Sequence, residues 1–395
     1  MAEQNPNRNS NIPSSSLVDP KSGFCSETKI YHSLRPPVPL PPPSLPLSAA
    51  SYATSLLPTP LPSNPTLIDA VSGLSISYSD FLHCVQNLSS NLKTLIPTLS
   101  KGQIAFVISP PSLHIPILYY SLLSLGVVIS PSNPISTPSE IKRQIHLSKP
   151  SIFFANSSTV GSLPSDLPCP PILLDSNRFV DLMTRVSSEP ARSLEAVWQS
   201  DPAAILYSSG TTGRVKGVVL THRNLIAVLA GLQAWRVERE KAAVSVFTVP
   251  LFHVFGFVAV VGVVAGGNTA VLMERFEFEG MLRAVERYRA TTMPVSPPLV
   301  VAMAKSAEVE NYDLRSLEAV GCGGAPLGKE VAERFKARFP NVEIMQSDTW
   351  HSTWAGPPMQ KGLTGVKQNS ARYQRGPPVK KSLQLKADHV IDNLV

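Results

Sequence analysis

Cysteine is scarce in this 395-residue sequence, and so is charge. Only four cysteines occur, Cys25, Cys84, Cys169 and Cys322, far apart and in no Cys-x-x-Cys pair. That pattern argues against a disulfide framework or a thiolate zinc site, and for a reducing compartment. Charged residues are 16% of the chain and aromatics 7%. Of the +7 net charge, the last 49 residues carry +4 and the first 50 carry +1, which leaves the body near neutral. No lysine/arginine stripe runs along it and no aromatic platform accompanies the basic tail, so no nucleic-acid partner is expected. Long apolar runs are missing as well. The longest, Val254 to Ala265, contains Gly256 and Gly262 and is too short to span a bilayer, so it reads as a buried helix. The Asn/Ser/Pro-rich N-terminus has no apolar segment of the secretory kind.

Proline is abundant instead, with 38 residues. Arg35-Pro-Pro-Val-Pro-Leu-Pro-Pro-Pro-Ser-Leu-Pro46 must be largely polyproline II, because each ring fixes φ and removes a donor. An SH3-type ligand is one reading, but Val38 breaks the register that Arg35 would need. Residues 1–50 are therefore expected to form a stiff, extended or disordered arm. The chain as a whole is 43% hydrophobic, which suits a large globular core.

From Thr66 the pattern becomes regular. Phe81, Leu82, Val85, Leu88, Leu92 and Leu95 share one helical face. Ile104 to Ile108 is an apolar strand, and Leu113 to Leu125 a helix closed by Gly126. Thr137-Pro-Ser-Glu140 is a capping box with proline at the first helical position. Further strands are predicted at 127–129, 151–155, 172–175, 203–207, 244–249, 269–273, 291–295, 317–320 and 342–344. Strands without polar alternation, separated by helices, indicate parallel sheets covered on both faces. The fold class is α/β, with two subdomains of mostly parallel sheet at about 51–200 and 201–346. Ligand is expected at the carboxyl ends of the strands.

Between two apolar runs lies Tyr207-Ser-Ser-Gly-Thr-Thr-Gly-Arg-Val-Lys-Gly-Val218. Glycines let backbone approach a ligand closely. The hydroxyls of Ser208, Ser209, Thr211 and Thr212, the N–H groups around Gly210 and Gly213, and the Lys216 ammonium together suit a polyphosphate. The spacing is not that of a Walker loop, since glycine follows the lysine. A flexible linker is the plain alternative. The segment resembles the phosphate-binding signature of the adenylate-forming (AMP-binding) superfamily, and within it the chain is similar to plant 4-coumarate–CoA ligase-like acyl-CoA synthetases.

The resemblance implies roles for further residues. Pro250-Leu-Phe-His-Val-Phe255 is similar to a family motif whose histidine, here His253, lies beside the acyl carboxylate and α-phosphate. A lone histidine after a strand is more often structural; the motif reverses that weighting. Phe255 and Ala259 would line the acyl pocket. Arg275 stands where relatives use a lysine near the CoA phosphates, and a surface ion pair accounts for it equally well. Gly321-Cys-Gly-Gly-Ala-Pro-Leu-Gly328 resembles the loop against adenine, bringing in Gly323, Gly324 and Ala325; it is also a plain strand-to-helix turn. Gln346 is the last position that aligns. No metal-ligating set is assigned.

The activity so implied is ATP-dependent acid–CoA ligation with Mg²⁺: a carboxylate attacks the α-phosphate of ATP, and the CoA thiol then displaces AMP. The partners are a small carboxylic acid, ATP and CoA. Relatives that take hydroxycinnamates typically place tyrosine and serine at the positions of Phe255 and Ala259. Without those hydroxyls an apolar, fatty-acyl-like acid is favoured over a phenylpropanoid.

After Gln346 the family pattern Gly-Tyr-Gly-x-Thr-Glu, whose glutamate holds Mg²⁺, is replaced by Ser347-Asp-Thr-Trp350. The basic stretch 347–395 reads as an unrelated, disordered tail, as from a splice form, a frame change or a misassembled gene, in place of the small C-terminal domain. Adenylation near background and no detectable thioester formation are expected. The alternative function is a nucleotide- or acyl-binding fragment of such a ligase. The ending Asp392-Asn-Leu-Val395 is not a peroxisomal Ser-Lys-Leu signal, which favours the cytoplasm over the peroxisome.

Overall fold

The structure is a computed structural model. It describes residues 18–20, 22–27, 29–31, 36–186, 195–208, 215–234, 236 and 239–347. The chain falls into two units, residues 1–39 with 359–395, and residues 40–358. In the first, strands β1 (Phe24–Cys25) and β2 (Ile30–Tyr31) pair antiparallel.

The second unit holds two sheets. Its strands are β3 (Leu67–Asp69), β4 (Ser75–Ile76), β5 (Ile104–Ile108), β6 (Val128–Ser132), β7 (Ile152–Ala155), β8 (Ile172–Leu173), β9 (Pro202–Ser208) and β10 (Lys216–Thr221). The series continues with β11 (Val244–Phe247), β12 (Thr269–Leu272), β13 (Thr292–Val295), β14 (Ala319–Gly323) and β15 (Glu343–Ser347). The helices are α1 (Ala49–Ser55), α2 (Tyr78–Leu95), α3 (His114–Ser124), α4 (Pro138–Ser148), α5 (Asn177–Thr184), α6 (His222–Ala234), α7 (Val254–Ala265), α8 (Phe278–Tyr288), α9 (Pro297–Lys305) and α10 (Lys329–Arg338). The first sheet runs β10-β9-β6-β5-β7-β8 and the second β15-β14-β13-β11-β12-β3-β4. All neighbours are parallel except β9/β10 and β3/β4.

Packing explains why these strands read as unbroken apolar runs. Ala105 and Val107 of β5 join the largest core, while Phe106 and Ile108 pack on the other face with Ile141 of α4. In the second sheet Phe247 and Leu272 face the largest core. Val246 and Val271 face Leu282, Val285 and Met303 of α8 and α9. Residues from α1, α2, α3, α5, α6 and α7 fill the largest core between the two sheets. Burial on both faces leaves no position for alternating polar residues. Local signals fix the ends. Glu140 Oε2 accepts from Thr137 N at 2.8 Å, and Thr137 Oγ1 accepts from Glu140 N at 3.3 Å, which completes the capping box of α4.

Three features differ from the sequence reading. Sheet membership does not follow a cut near residue 200: β3 and β4 join the second sheet through β12, and β9 and β10 join the first through β6. Strand pairing is decided by long-range apolar burial, which local pattern does not report. Second, the apolar run after Lys216 is a strand, antiparallel to β9. Third, the Pro-rich arm is tied down where it approaches residue 50. Gln199 Nε2 donates to the carbonyls of Pro42 (2.7 Å) and Leu45 (3.0 Å), and α1 begins at Ala49 with Ser48 as its cap. Proline carbonyls keep their acceptor capacity although their nitrogens donate nothing, so side-chain donors can hold such a run. The tail 348–395 lies outside the described residues.

Candidate functional site

Register aligns the carboxyl ends of the second sheet. Ser245 pairs with Thr292, Thr292 with Ala319 and Ala319 with Glu343; three residues further on, Val295 pairs with Cys322 and Cys322 with Gln346. The segments that follow β11, β12 and β14, and Gln346 near the end of β15, therefore emerge on one edge. His253 follows β11, Arg275 follows β12, and Gly324 and Ala325 follow Gly323 at the end of β14. From β11 to β14 is two strand spacings, roughly 10 Å.

One contact joins two of these segments. A β-carbon built on Gly321 of β14 would stand 3.9 Å from Phe255 Cζ and 3.9 Å from the Met293 carbonyl oxygen. The Phe255 ring, buried in the first turn of α7, thus lies over the backbone of β14 just before the glycine loop. Close packing makes that turn possible: at Gly256 a β-carbon would meet the Pro250 carbonyl oxygen at 2.2 Å, so only glycine fits. Ala259 is one turn beyond Phe255 and packs at the margin of the central core.

His253 is the cap residue of α7. Its Nδ1 accepts from Phe255 N at 3.4 Å, a long bond. Its ring reaches the surface, and burial of the inner side lowers its pKa from the ordinary histidine value. A neutral ring that accepts at Nδ1 carries its proton on Nε2. His253 is therefore a donor in place, aimed by the start of its own helix.

The glycine loop is open. Gly323 is buried at the strand end, whereas Gly324 and Ala325 are exposed. Gly324 has φ +89°, with nothing within 4 Å of a built β-carbon. Backbone conformation, not crowding, calls for glycine there, and the bare backbone leaves room for a flat ligand. Arg275 is exposed and has no ion-pair partner among the described residues.

The phosphate-loop candidates root in the other sheet. Ser208 ends β9 and Lys216 opens β10 opposite it. Ser209, Gly210, Thr211, Thr212 and Gly213 lie outside the described residues. Tyr207, although within the motif, is a structural peg. Its hydroxyl lies 2.7 Å from Ser130 Oγ, 3.0 Å from Ser148 Oγ and 3.1 Å from the Gln144 carbonyl. Burial raises its pKa.

The two sheet edges approach one another at a small slot. Val107, Ser109, Pro111, Ile115, Tyr119, Pro131 and Ser132 line one side, and Leu251 and Phe252, which precede His253, line the other. Its volume of about 10 Å³ is room for one water. Tyr119 donates its hydroxyl to the Leu251 carbonyl at 3.3 Å and so fastens α3 to the His253 loop. Ser132 Oγ is buried here without a hydrogen-bond partner among the described residues. Ser132, Leu251 and Phe252 escaped the sequence reading; only the neighbouring motif at 250–255 hinted at the last two.

Among the described residues no three His, Cys, Asp or Glu side chains gather into a metal cage. Magnesium arriving with a nucleotide would rest mainly on phosphate oxygens and water, which needs few protein carboxylates. The exposed Lys216 and the open backbone over Gly324 suit phosphate and a flat base respectively.

The comparisons with known proteins identify the family. The family profile described as "AMP-binding enzyme" matches residues 60–370, further than the break after Gln346 that the sequence suggested. The Arabidopsis thaliana protein named 4-coumarate--CoA ligase-like 9 is 49% identical over 349 residues, covering 84% of this chain and 61% of its own length. Peroxisomal OPC-8:0-CoA ligase 1 of Arabidopsis thaliana is 35% identical over 346 residues, covering 83% and 61%. This chain thus spans about three fifths of the length of those curated relatives. Among solved structures, the inhibitor-bound N-terminal domain of FACL13 from Mycobacterium tuberculosis shares the fold, with a TM-score of 0.67 at 18% identity over 76% of this chain and 75% of that one. On its fold, its motifs and these likenesses, the chain belongs to the AMP-binding enzyme family.

Proposed function

We propose that this chain forms the nucleotide- and acyl-binding body of an ATP-dependent acid–CoA ligase. The observation that carries the reading is the packing of Phe255 over Gly321, which brings the His253 segment and the glycine loop to one sheet edge. Ser208, Ser209, Gly210, Thr211, Thr212, Gly213 and Lys216 hold the phosphates. Gly323, Gly324, Ala325 and Gln346 border the base. His253 offers Nε2–H to the oxygen that gains charge as the carboxylate and α-phosphate meet, where a fixed donor stabilises the transition state. Arg275 is free to meet the CoA phosphates. When bound, ATP supplies a pyrophosphate leaving group, Mg²⁺ shields its charge, and CoA supplies the thiol.

The acyl group is apolar. Phe255 and Ala259 present no hydroxyl, so a phenolic acid would lose the hydrogen bonds it has in water without replacement. Isothermal titration with ATP, and with sulfamoyl-adenosine mimics carrying decanoyl or 4-coumaroyl groups, tests both statements. ATP and the decanoyl mimic should bind, the latter more tightly than the 4-coumaroyl mimic. The reverse preference overturns the acyl assignment, and failure of every ligand to bind overturns the whole reading. Because Ser347-Asp-Thr349 replaces the family's Gly-Tyr-Gly-x-Thr-Glu pattern, pyrophosphate release should stay near background. Vigorous release would mark a working adenylating enzyme instead.

A further inference from the structure

The hairpin β9–β10, which carries the phosphate loop, is held at both roots by the same short run of chain. Gln199 lies three residues before β9 and Arg223 two residues after β10. They close the hairpin's base: Arg223 N donates to the Gln199 carbonyl at 2.6 Å, and Arg223 Nη1 donates to Gln199 Oε1 at 2.5 Å. Both then reach residues 41–49. Arg223 Nη1 donates to the Pro41 carbonyl, and Gln199 Nε2 to those of Pro42 and Leu45. Next to Arg223, His222 accepts the Ala49 N–H on Nδ1 at 3.0 Å. A bridge between Pro46 and Trp198 completes the seam. Gln199 and His222 are 1% and 0% exposed; the His222–Ala49 bond is shielded from competing water and the bonds to residues 41–45 are half-buried.

We propose that residues 41–49 are a clamp that sets the pose of the hairpin, and that Gln199 and Arg223 are positioning residues for nucleotide binding. This rests on the reading that residues 208–216 hold the ATP phosphates. The physical reason is preorganisation. Ser208 and Lys216 are paired across the ladder. The direction in which that ladder presents the seven residues between them is set from the hairpin's opposite end, its base, which Gln199 and Arg223 close. A hairpin with loose roots must be ordered on binding, and that entropy is subtracted from affinity. A run rich in proline suits the part, because its φ angles are fixed beforehand and Pro41, Pro42 and Pro46 have no N–H to satisfy. Coupling is reciprocal, so bound ATP must in turn tighten the clamp.

Two variants of the full chain, with two readouts, test the proposal. Gln199→Glu keeps an acceptor for Arg223 but turns both donors toward Pro42 and Leu45 into repulsions; Arg223→Lys removes the fork that spans Gln199 and Pro41. Each should raise the ATP dissociation constant by roughly fivefold or more, the lower end of a typical coupling, while circular dichroism stays unchanged. In the wild type, ATP should slow hydrogen exchange of the peptide 40–56, where the Ala49 amide reports the clamp directly. Lys216→Ala is the control for the phosphate-loop reading. If it weakens ATP binding while both clamp variants bind as wild type, the clamp falls and the loop reading stands. If either clamp variant fails to fold, the wild-type exchange decides, and unchanged protection at 40–56 with ATP overturns the proposal. A wild type that binds no ATP overturns the loop reading and the clamp with it.

Discussion

Lys216 stands directly across from Ser208 in the β9–β10 ladder. The chain therefore leaves the sheet and re-enters it at one place. The lysine belongs to a strand, which holds its backbone while the side chain stays exposed. Lys216→Ala should leave the melting temperature within a degree or two and raise the ATP dissociation constant roughly tenfold to a hundredfold. That is the span expected when a charge-assisted contact worth about 1.5–3 kcal/mol is lost. Titration calorimetry beside a thermal melt checks both halves; a fall in melting temperature with unchanged affinity would contradict the assignment.

His253 caps α7, and the proposed function gives it a second, separable duty, donation from Nε2. His253→Ala should lose about 1 kcal/mol of stability, the ordinary cost of a missing cap, together with affinity for acyl-sulfamoyl mimics. His253→Asn restores an oxygen that can accept from Phe255 N but has no donor at the same reach. Stability should recover and mimic affinity should not. Recovery of both would reduce His253 to a cap.

Two glycines should respond differently to the same methyl group. Gly256→Ala drives a β-carbon into the Pro250 carbonyl, and overpacking of this kind costs about 1–3 kcal/mol. The damage should extend to ligand affinity, because the displaced backbone carries His253 and Phe255. Gly324→Ala meets nothing but keeps φ near +89°, a strain of about 1 kcal/mol. Urea melts of the two variants should rank Gly256→Ala as the more destabilised.

Stability should decline in mild acid through His222. Burial brings its pKa down to about 4, against an ordinary value near 6.5. A depressed folded-state pKa means the unfolded chain takes up the proton first. The stability is complete above about pH 6.5 and is lost as pH falls toward 4, by up to about 3 kcal/mol. The Ala49 N–H already occupies Nδ1, and the neighbouring charges are Asp201, which favours protonation, and Lys101, which opposes it. Urea melts from pH 7.5 to 4.5 should show the decline, and His222→Gln should flatten it.

Much of this architecture could be read from local pattern, and the reasons are particular. The capping box at Thr137 and Glu140, the apolar run from Val254 and the glycine after Leu125 each fix an element end with residues close in sequence. Parallel strands then place the loops after 247 and 323 on one edge by topology alone. What escaped was non-local. Gln199 and Pro42 are 157 residues apart, and nothing near either announces the partner. Leu67 to Asp69 is too short to show that it pairs with β12. Phe255 was placed by resemblance, but its seat over Gly321 depends on the helix axis of α7, which no spacing encodes.

The six helices that fill the space between the sheets belong to both of them. A cavity opened among Tyr119, Phe257 and Leu251 would loosen α3 and the His253 segment together. Melting of either half would strip packing from the other, so heating should produce a single transition seen alike by every probe.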